Sequence, residues 1–181
     1  MPASTAEYAI VLRDAQASDC DAIVALIESA YRGNSSRAGW TTEADLLGGQ
    51  RTDREEIAAL LREEGARFLL ATDAGAIVGC VLLRKEPGCG YIGMLAVRPG
   101  LQAKGIGKRL LARAEARALD ELGASRTRMT VIEQRKELIA WYERRGYRGT
   151  GATLPFPYGN SRFGLPKRQD LRFVELEKPL P

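Results

Sequence analysis

The amino-acid sequence predicts an α/β fold in which helices flank one mixed β-sheet. Short apolar runs typical of strands alternate with segments whose apolar residues recur at helical spacing, and the strands outnumber the helices. With 181 residues, 45% of them hydrophobic, the chain is long enough to bury a complete core. Because no internal repeat or low-complexity linker divides it, we expect one domain over residues 1–181.

Helices are predicted where capping residues precede an amphipathic pattern. Such starts occur at Ser18, Thr42 and Thr52, and the first is followed by apolar residues at helical spacing up to Tyr31. The predicted helices are therefore one that begins at Ser18, a short one after Thr42, and three over Glu56–Glu64, Gly105–Leu122 and Lys136–Arg145.

Strands are predicted from β-branched and apolar runs that end at turn residues. The predicted strands are Tyr8–Leu12, Arg67–Thr72, Ala76–Arg84, Tyr91–Val97, Arg126–Ile132, Tyr147–Thr150 and Leu171–Glu177. Two segments between these elements are rich in polar residues, glycine or proline. We expect Gly33–Thr41 to be a polar loop and Gly151–Lys167 to be a long loop inside the domain.

The most informative segment joins the strand that ends at Val97 to the helix that begins at Gly105. A proline and a glycine-bearing loop lead into a helix whose first turn carries basic residues. The free N–H groups and the positive dipole end of such a helix form a binding site for phosphate groups. The segment therefore predicts that a phosphorylated ligand binds at this loop.

Glycine spacing excludes two common phosphate motifs. A P-loop requires Lys and Ser or Thr where Ile106 and Gly107 stand, and a dinucleotide fingerprint requires Gly where Leu110 stands. A literal Gly-x-Gly-x-x-Gly match at Gly88–Gly93 leads into a strand instead of a helix, which is the wrong context. We interpret that match as a turn followed by the start of a strand.

Composition narrows the function further. The chain contains no histidine, which excludes Ser-His-Asp and Cys-His-Asp catalysis and His-ligated zinc, and we expect no metal site. The net charge of +4 suits an anionic ligand, but acidic residues intersperse the basic ones, so nucleic acid is not an expected partner. Three cysteines without a Cys-x-x-Cys pair and no membrane-length apolar run predict a cytoplasmic protein that does not bind membranes.

Two motifs resemble those of the GCN5-related N-acetyltransferases, the GNAT family. The loop reads Gln102-x-x-Gly105-x-Gly107, which is similar to the family signature Gln/Arg-x-x-Gly-x-Gly/Ala at the start of a helix. Downstream, Trp141-Tyr142-x-x-x-Gly146-Tyr147 is similar in type and order to a later aromatic segment of that family. The order of the remaining elements also agrees from about residue 9 to the final strand.

The resemblance implies a mixed, mostly antiparallel sheet in which two neighbouring parallel strands splay apart and hold acetyl-CoA between them. Backbone groups of one strand would contact the pantetheine arm and the thioester, and stabilise the oxyanion, while the signature loop would hold the pyrophosphate. The implied cofactor-binding residues are Leu95, Ala96, Val97, Gln102, Ala103, Lys104, Gly105, Ile106, Gly107 and Lys108.

The resemblance also indicates catalytic residues. Family members often have a tyrosine where Tyr142 stands, and its hydroxyl would protonate the departing thiolate as a general acid. Some relatives carry a glutamate base in the preceding strand, but that position is Thr130 here, so Glu133 is the nearest candidate base, with a water chain as the alternative. Arg135 stands where the family frequently has asparagine, and we expect it could meet a phosphate.

The acceptor is weakly specified by the sequence. Trp40, Glu43 and Asp45 are candidate residues for binding a cationic amine, and Phe156 to Tyr158 could form a wall of the pocket. The resulting hypothesis is an acetyl-CoA-dependent N-acetyltransferase. In this hypothesis a primary amine, which belongs to a small molecule or a protein, attacks the acetyl thioester directly. The alternative is a non-catalytic acyl-CoA-binding regulatory module, and homodimer formation is left open.

Overall fold

In the computed structural model, which describes residues 9–181, a seven-stranded sheet forms the centre of the molecule. Its strands in spatial order are β1 (Val11–Asp14), β3 (Ala66–Asp73), β4 (Ala76–Glu86), β5 (Cys89–Val97), β6 (Arg126–Ile132), β9 (Arg172–Pro179) and β7 (Arg148–Pro155). Every neighbouring pair is antiparallel except β5 and β6, which are parallel. A mixed, mostly antiparallel sheet is thus confirmed.

Helices cover both faces of this sheet. The helices are α1 (Cys20–Tyr31), α2 (Gly33–Ser36), α3 (Arg54–Arg62), α4 (Ile106–Leu122) and α5 (Lys136–Glu143). Because side chains alternate along a strand, Leu69 and Ala71 pack in the core beside α4, while Phe68 and Leu70 pack in the core beside α1 and α3. The two faces therefore have separate hydrophobic cores.

The parallel strands β5 and β6 pair over a short distance. Their register joins Gly90 to Thr127 and Tyr91 to Arg128, and beyond Tyr91 each strand continues with its antiparallel neighbour on the other side. The edges of β5 and β6 that face each other are left open there. This divergence opens a cleft between the two strands.

Most element boundaries agree with the prediction to within a few residues, and β6 agrees at both ends. The first strand is shifted to Val11–Asp14, and Tyr8 lies outside the described residues. Helix α3 begins two residues before Glu56, because the side chain of Asp53 accepts a hydrogen bond from the Glu56 amide.

The predicted short helix after Thr42 is wrong. The Thr42 hydroxyl accepts a hydrogen bond from the Ala44 amide (3.1 Å), which makes a turn, and the chain then enters β2 (Leu47–Gly48). Strand β2 pairs with β8 (Leu165–Pro166), more than a hundred residues later in the chain.

Two predicted loops contain regular structure. The predicted polar loop Gly33–Thr41 includes α2, whose residue Ser36 is buried. The predicted loop Gly151–Lys167 contains the second half of β7, a single 3-10 turn at Ser161–Phe163 and β8. Two further 3-10 turns lie at Ala17–Asp19 and Pro99–Leu101.

Candidate active site

Two cavities open on the cleft between β5 and β6. The first cavity, about 610 Å³, lies between the signature loop, the start of α4 and helix α5. The second cavity, about 580 Å³, lies between α1, strands β4 to β6 and the segment 154–163. Leu95, Leu138 and Tyr142 line both cavities, so these residues mark where the two meet.

The signature loop places the start of helix α4 on the first cavity. Gly105 is the N-cap with a φ of +81°, a left-handed conformation that favours glycine, and Ala103 is also left-handed at +63°. The first intrahelical bond of this turn runs from the Arg109 amide to the Gly105 carbonyl (3.0 Å). The amides of Ile106 to Lys108 have no carbonyl one turn earlier to bond, so the helix start can bind an anion.

Cationic side chains complete this wall of the first cavity. Lys108, Arg144 and Arg145 line it together with one acid, Glu137. The Arg145 guanidinium lies over the Trp141 ring, 3.5 Å from its centroid, and burial lowers the pKa of Arg145. Its Nε atom is buried and has no hydrogen-bond partner among residues 9–181. A phosphorylated ligand fits this surplus of charge and donors.

The predicted cofactor residues take different positions. Leu95, Val97, Gln102, Ala103, Gly105, Ile106, Gly107 and Lys108 line the first cavity. Ala96 does not, because it is buried in the core beside α1 and pairs with Cys80. Lys104 is not among the described lining residues. At Gly107 an added Cβ would lie 3.6 Å from Val97, in ordinary contact, so the fold itself does not require glycine there.

The Gln102 side chain contacts protein groups on all sides of its carboxamide. Its Oε1 accepts a hydrogen bond from the Trp40 amide (2.8 Å), and its Nε2 donates to Thr41 Oγ1 (2.8 Å) and to the Val97 carbonyl (3.0 Å). A Cβ at Gly39 would lie 2.4 Å from that Oε1. Gln102 therefore attaches the 39–41 segment to the end of β5, a role that the motif alone did not indicate.

Tyr142 lies where the two cavities meet. Its ring is buried against Trp141 and Tyr147, with centroids 5.1 and 5.6 Å away in edge-on contact. Burial, reinforced by the nearby Tyr31, raises the pKa of Tyr142 well above its ordinary value. The hydroxyl thus stays protonated at physiological pH, which is the form that a general acid requires.

Tyr31 is a site residue that the sequence did not reveal. Its hydroxyl donates a hydrogen bond to the Leu95 carbonyl, which joins α1 to the strand that lines both cavities. Burial raises the pKa of Tyr31 to about 12. In the sequence, Tyr31 appears as one of several apolar positions of α1, and nothing local distinguishes it from a core residue.

Glu133 does not belong to this site. Both carboxylate oxygens accept hydrogen bonds from Arg172, at 2.6 and 2.9 Å, and Glu133 is absent from the described lining of both cavities. The bond to Arg172 lowers the pKa of Glu133, which makes its carboxylate a weaker base. This position argues against Glu133 as the general base, an assignment that stays a prediction. Thr130, in contrast, does line the second cavity.

The three predicted acceptor residues are separated in space. Trp40 lines the first cavity, 6.2 Å from the Trp141 ring, and Glu43 lines the second. Asp45 lines neither, because its exposed carboxylate turns to Arg37 at 2.7 Å on the surface. This position argues against Asp45 as a substrate residue, which also stays a prediction. Phe156 and Pro157 do line the second cavity, as expected.

Glu43 is buried between two arginines. Arg135 Nη1 donates to its Oε1 at 2.8 Å, and Arg32 donates to its other oxygen. Although burial opposes ionisation, Arg135 and Arg32 hold the pKa of Glu43 below its usual value. Because both oxygens are already paired, Glu43 is not available to bind a cationic amine. Arg135, expected near a phosphate, instead joins Glu43 to the Thr41 carbonyl (2.6 Å).

Comparison with known proteins assigns the chain to one family. Residues 21–147 match the Acetyltransferase (GNAT) family. The chain is 33% identical over 147 residues to a mycothiol acetyltransferase of Salinispora tropica, covering 78% of this chain and 45% of the relative. It is 30% identical over 151 residues to an IAA acetyltransferase of Azospirillum brasilense, covering 80% of this chain and 88% of the relative.

Solved structures agree in fold. The Escherichia coli ribosomal-protein-S18-alanine N-acetyltransferase superposes with a TM-score of 0.69 at 15% identity, covering 94% of both chains. The Salmonella typhimurium protein yncA, solved with its cofactor acetyl-CoA, superposes with a TM-score of 0.69 at 18% identity, covering 95% of this chain and 94% of that one.

The chain belongs to the GNAT acetyltransferase family. It spans less than half the length of the mycothiol acetyltransferases that it matches. Among residues 9–181, no helix is both long enough and apolar enough to cross a membrane.

Proposed function

We propose that residues 1–181 form one N-acetyltransferase domain that transfers an acetyl group from acetyl-CoA to a primary amine by direct attack. The observation that carries this proposal is the position of Tyr142, whose protonated hydroxyl lies where the two cavities meet. Support also comes from the family membership and from the anion-binding start of α4. A cytoplasmic location agrees with the three free cysteines.

The first cavity would hold acetyl-CoA, which supplies an acetyl thioester. In this proposal the amides of Ile106 to Lys108, with Lys108 and Arg145, bind the phosphates, and the backbone at Leu95 and Val97 orients the acyl end. The second cavity would admit the amine to the opposite side of Leu95, so that it can reach the acyl carbon from there.

Tyr142 would complete the transfer. The new amide C–N bond forms while the thioester C–S bond breaks, and Tyr142 gives its proton to the departing sulfur. The amine releases one proton to water in the cavity, and that proton restores the Tyr142 hydroxyl. This balance needs no carboxylate base, in agreement with the position of Glu133 outside the cavities.

Replacement of Tyr142 by phenylalanine tests this function. We expect Tyr142→Phe to lower kcat by about 100-fold or more, because general acid catalysis typically contributes that much. The Kd of acetyl-CoA should stay unchanged, as measured by calorimetry. Tyr158→Phe removes a hydroxyl outside both cavities and is the matched control. An unchanged kcat in Tyr142→Phe would remove this residue from the mechanism.

The same assay separates the enzyme from a non-catalytic module. Thiol release is followed with acetyl-CoA and a panel of small amines and peptides with free amino groups. Binding of acetyl-CoA without transfer to any amine would contradict the enzyme and favour an acyl-CoA-binding regulatory module on the same fold.

A further inference from the structure

The second cavity carries a surplus of positive charge. Its ionisable lining residues are Arg32, Arg51, Arg84, Arg135, Glu43 and Glu56, together with three tyrosines. Arg84 pairs with Glu86 (3.4 Å) and, more distantly, with Glu63 (3.9 Å), both of which lie outside the cavity lining. The unbalanced charge is therefore concentrated in the other three arginines.

Those three arginines surround Glu43. Arg32 and Arg135 pair with its two carboxylate oxygens, and both arginine side chains are buried, with 4% and 9% of their surface exposed. Arg51 adds a third positive charge that helps to lower the pKa of Glu43. One carboxylate thus faces three guanidinium groups.

Two of these guanidinium groups keep unused hydrogen-bonding capacity. Arg32 Nε is buried and has no hydrogen-bond partner in the described part of the chain. Among residues 9–181, the Arg51 side chain forms no ion pair or hydrogen bond and contacts the Tyr31 ring at 6.0 Å. A buried surplus of charge and an unpaired donor are costly unless a ligand compensates them.

Within the described part of the chain, no nearby carboxylate pairs with the Arg51 guanidinium or with Arg32 Nε. Glu28 Oε1 accepts hydrogen bonds from the backbone amides of Arg51 and Thr52, at 2.6 and 2.8 Å. Glu56 accepts a hydrogen bond from the Thr52 hydroxyl (2.6 Å). With Arg84 balanced by acids outside the lining, the other three arginines against Glu43 and Glu56 leave one positive charge in excess.

We propose that the acceptor amine also carries a carboxylate, which Arg51 and Arg32 bind in the second cavity. This inference rests on the proposed acetyl transfer. It replaces the cationic acceptor that the acidic residues of the sequence suggested with an acceptor that bears an anionic group. The arginine cluster, and not Glu43, is then the recognition element.

The position of the cluster fixes where the carboxylate lies relative to the reacting amine. Arg51 and Arg135 both lie over the Tyr31 ring, at 6.0 and 5.3 Å from its centroid. The hydroxyl of that same ring contacts the Leu95 carbonyl, where the two cavities meet. The carboxylate and the reacting amine therefore both lie around the Tyr31 side chain, which fits a small molecule.

The rest of the cavity defines the body of the acceptor. Its remaining wall is mainly apolar, and includes Leu47, Leu60, Leu82, Met94, Phe156 and Phe163. An amine and a carboxylate on an apolar body are the features of an apolar α-amino acid. We therefore assign the acceptor to this class.

Matched acceptors test this assignment by thiol release from acetyl-CoA. L-phenylalanine is compared with L-phenylalaninamide and 2-phenylethylamine, and L-methionine with its amide. We expect kcat/KM for each acid to exceed that of its amide by about 10-fold or more, as an ionic hydrogen bond implies. Near pH 7 the less basic amine of the amide is more often in the neutral form that attacks, so a preference for the acid cannot come from amine reactivity.

Arg51→Gln is the decisive variant, because Arg51 is only partly buried and its removal leaves no carboxylate of the described chain without a partner. We expect kcat/KM for L-phenylalanine to fall about 10- to 100-fold, mainly through KM, with the amide changed less than about twofold. Arg51→Lys should keep part of the preference. Arg54→Gln is the matched control, since Arg54 pairs with Asp21 on the surface.

Binding is measured separately, so that the two proposals fail in different ways. CoA-loaded protein is titrated with N-acetyl-L-phenylalanine and with its amide. Tighter binding of the acid that is lost in Arg51→Gln, without any turnover, would overturn the acetyl transfer alone. Turnover with no preference for the acid, or equal losses for acid and amide in Arg51→Gln, would overturn the carboxylate assignment alone.

Discussion

The two cavities of this protein are built in different ways. The first cavity takes most of its wall from two nearly continuous segments, 101–108 and 137–145. The second takes its wall from α1, the 43–60 segment, β4 to β6 and the 154–173 region, which are far apart in the chain. A site built from continuous segments produces a recognisable sequence motif, whereas a site assembled from distant segments does not.

Charge follows the same division. In the first cavity the cations lie beside free backbone amides of a helix start, an arrangement that local sequence shows. In the second cavity Glu43 belongs to a segment with acidic and no basic residues, which suggests a cation site, yet folding surrounds this acid with Arg32 and Arg135. The net charge of a buried site therefore depends on which distant residues the fold places around it.

The largest expected effect tests the arginine cluster of the second cavity. Glu43→Gln leaves Arg32 and Arg135 buried without their counter-charge, so we expect the free energy of unfolding to fall by about 3–5 kcal/mol. Urea denaturation measures this change. Asp45→Asn, on the exposed neighbouring acid, is the control and should change stability little. Equal losses of stability in the two variants would show that the buried ion pairs of Glu43 contribute no more than the surface ion pair of Asp45.

A second prediction concerns Tyr31, where the two cavities meet. Its pKa of about 12 exceeds the ordinary 10.0, so the stability it contributes is complete below pH 10 and lost as pH rises toward 12. We expect Tyr31→Phe to reduce the fall in the free energy of unfolding at alkaline pH by about 2–3 kcal/mol, measured by denaturation between pH 9 and 12. An unchanged slope would contradict the burial of this hydroxyl.

The third prediction separates two glycines of the first cavity. Gly105→Ala forces a side chain into a left-handed conformation and should cost about 1–2 kcal/mol of stability. Gly107→Ala fits the fold and should leave stability unchanged, while its methyl group narrows the cavity and raises the KM for acetyl-CoA. Thermal denaturation and steady-state kinetics on both variants make the comparison. Equal stability in the two variants would contradict it.

The smallest expected effect concerns Glu133. Because this carboxylate pairs with Arg172 away from both cavities, Glu133→Gln should change kcat by less than about twofold across the pH profile. The profile is recorded with the best amine of the panel. Loss of one limb of the profile would restore Glu133 as the general base.

The sequence predicts most of this fold because its strands and long helices follow local patterns. β6 and α4 are found almost to the residue, since alternating residues determine β6 and a periodic apolar face between two glycine caps determines α4. The helix expected after Thr42 fails because a threonine turn and pairing of Leu47 with Pro166 replace it. Strand pairing across so many residues leaves no local pattern.

The same reasoning explains the site. Tyr142 and the signature loop were predicted from motifs, whereas Tyr31, Arg51 and Arg145 were missed because each looks like an ordinary core or surface residue in its own segment. Tyr31 and Arg51 make contacts with residues distant in the chain, whereas Arg145 stacks on Trp141, one helical turn earlier.

The 40–43 segment links the two cavities mechanically. Trp40 and Thr41 line the first cavity and Glu43 lines the second, while Gln102 holds the segment from one side and Arg135 from the other. A displacement of this shared wall on either side must reshape the opposite cavity. We therefore expect occupancy of the two cavities to be coupled, and the coupling free energy to be the same in whichever order the ligands bind.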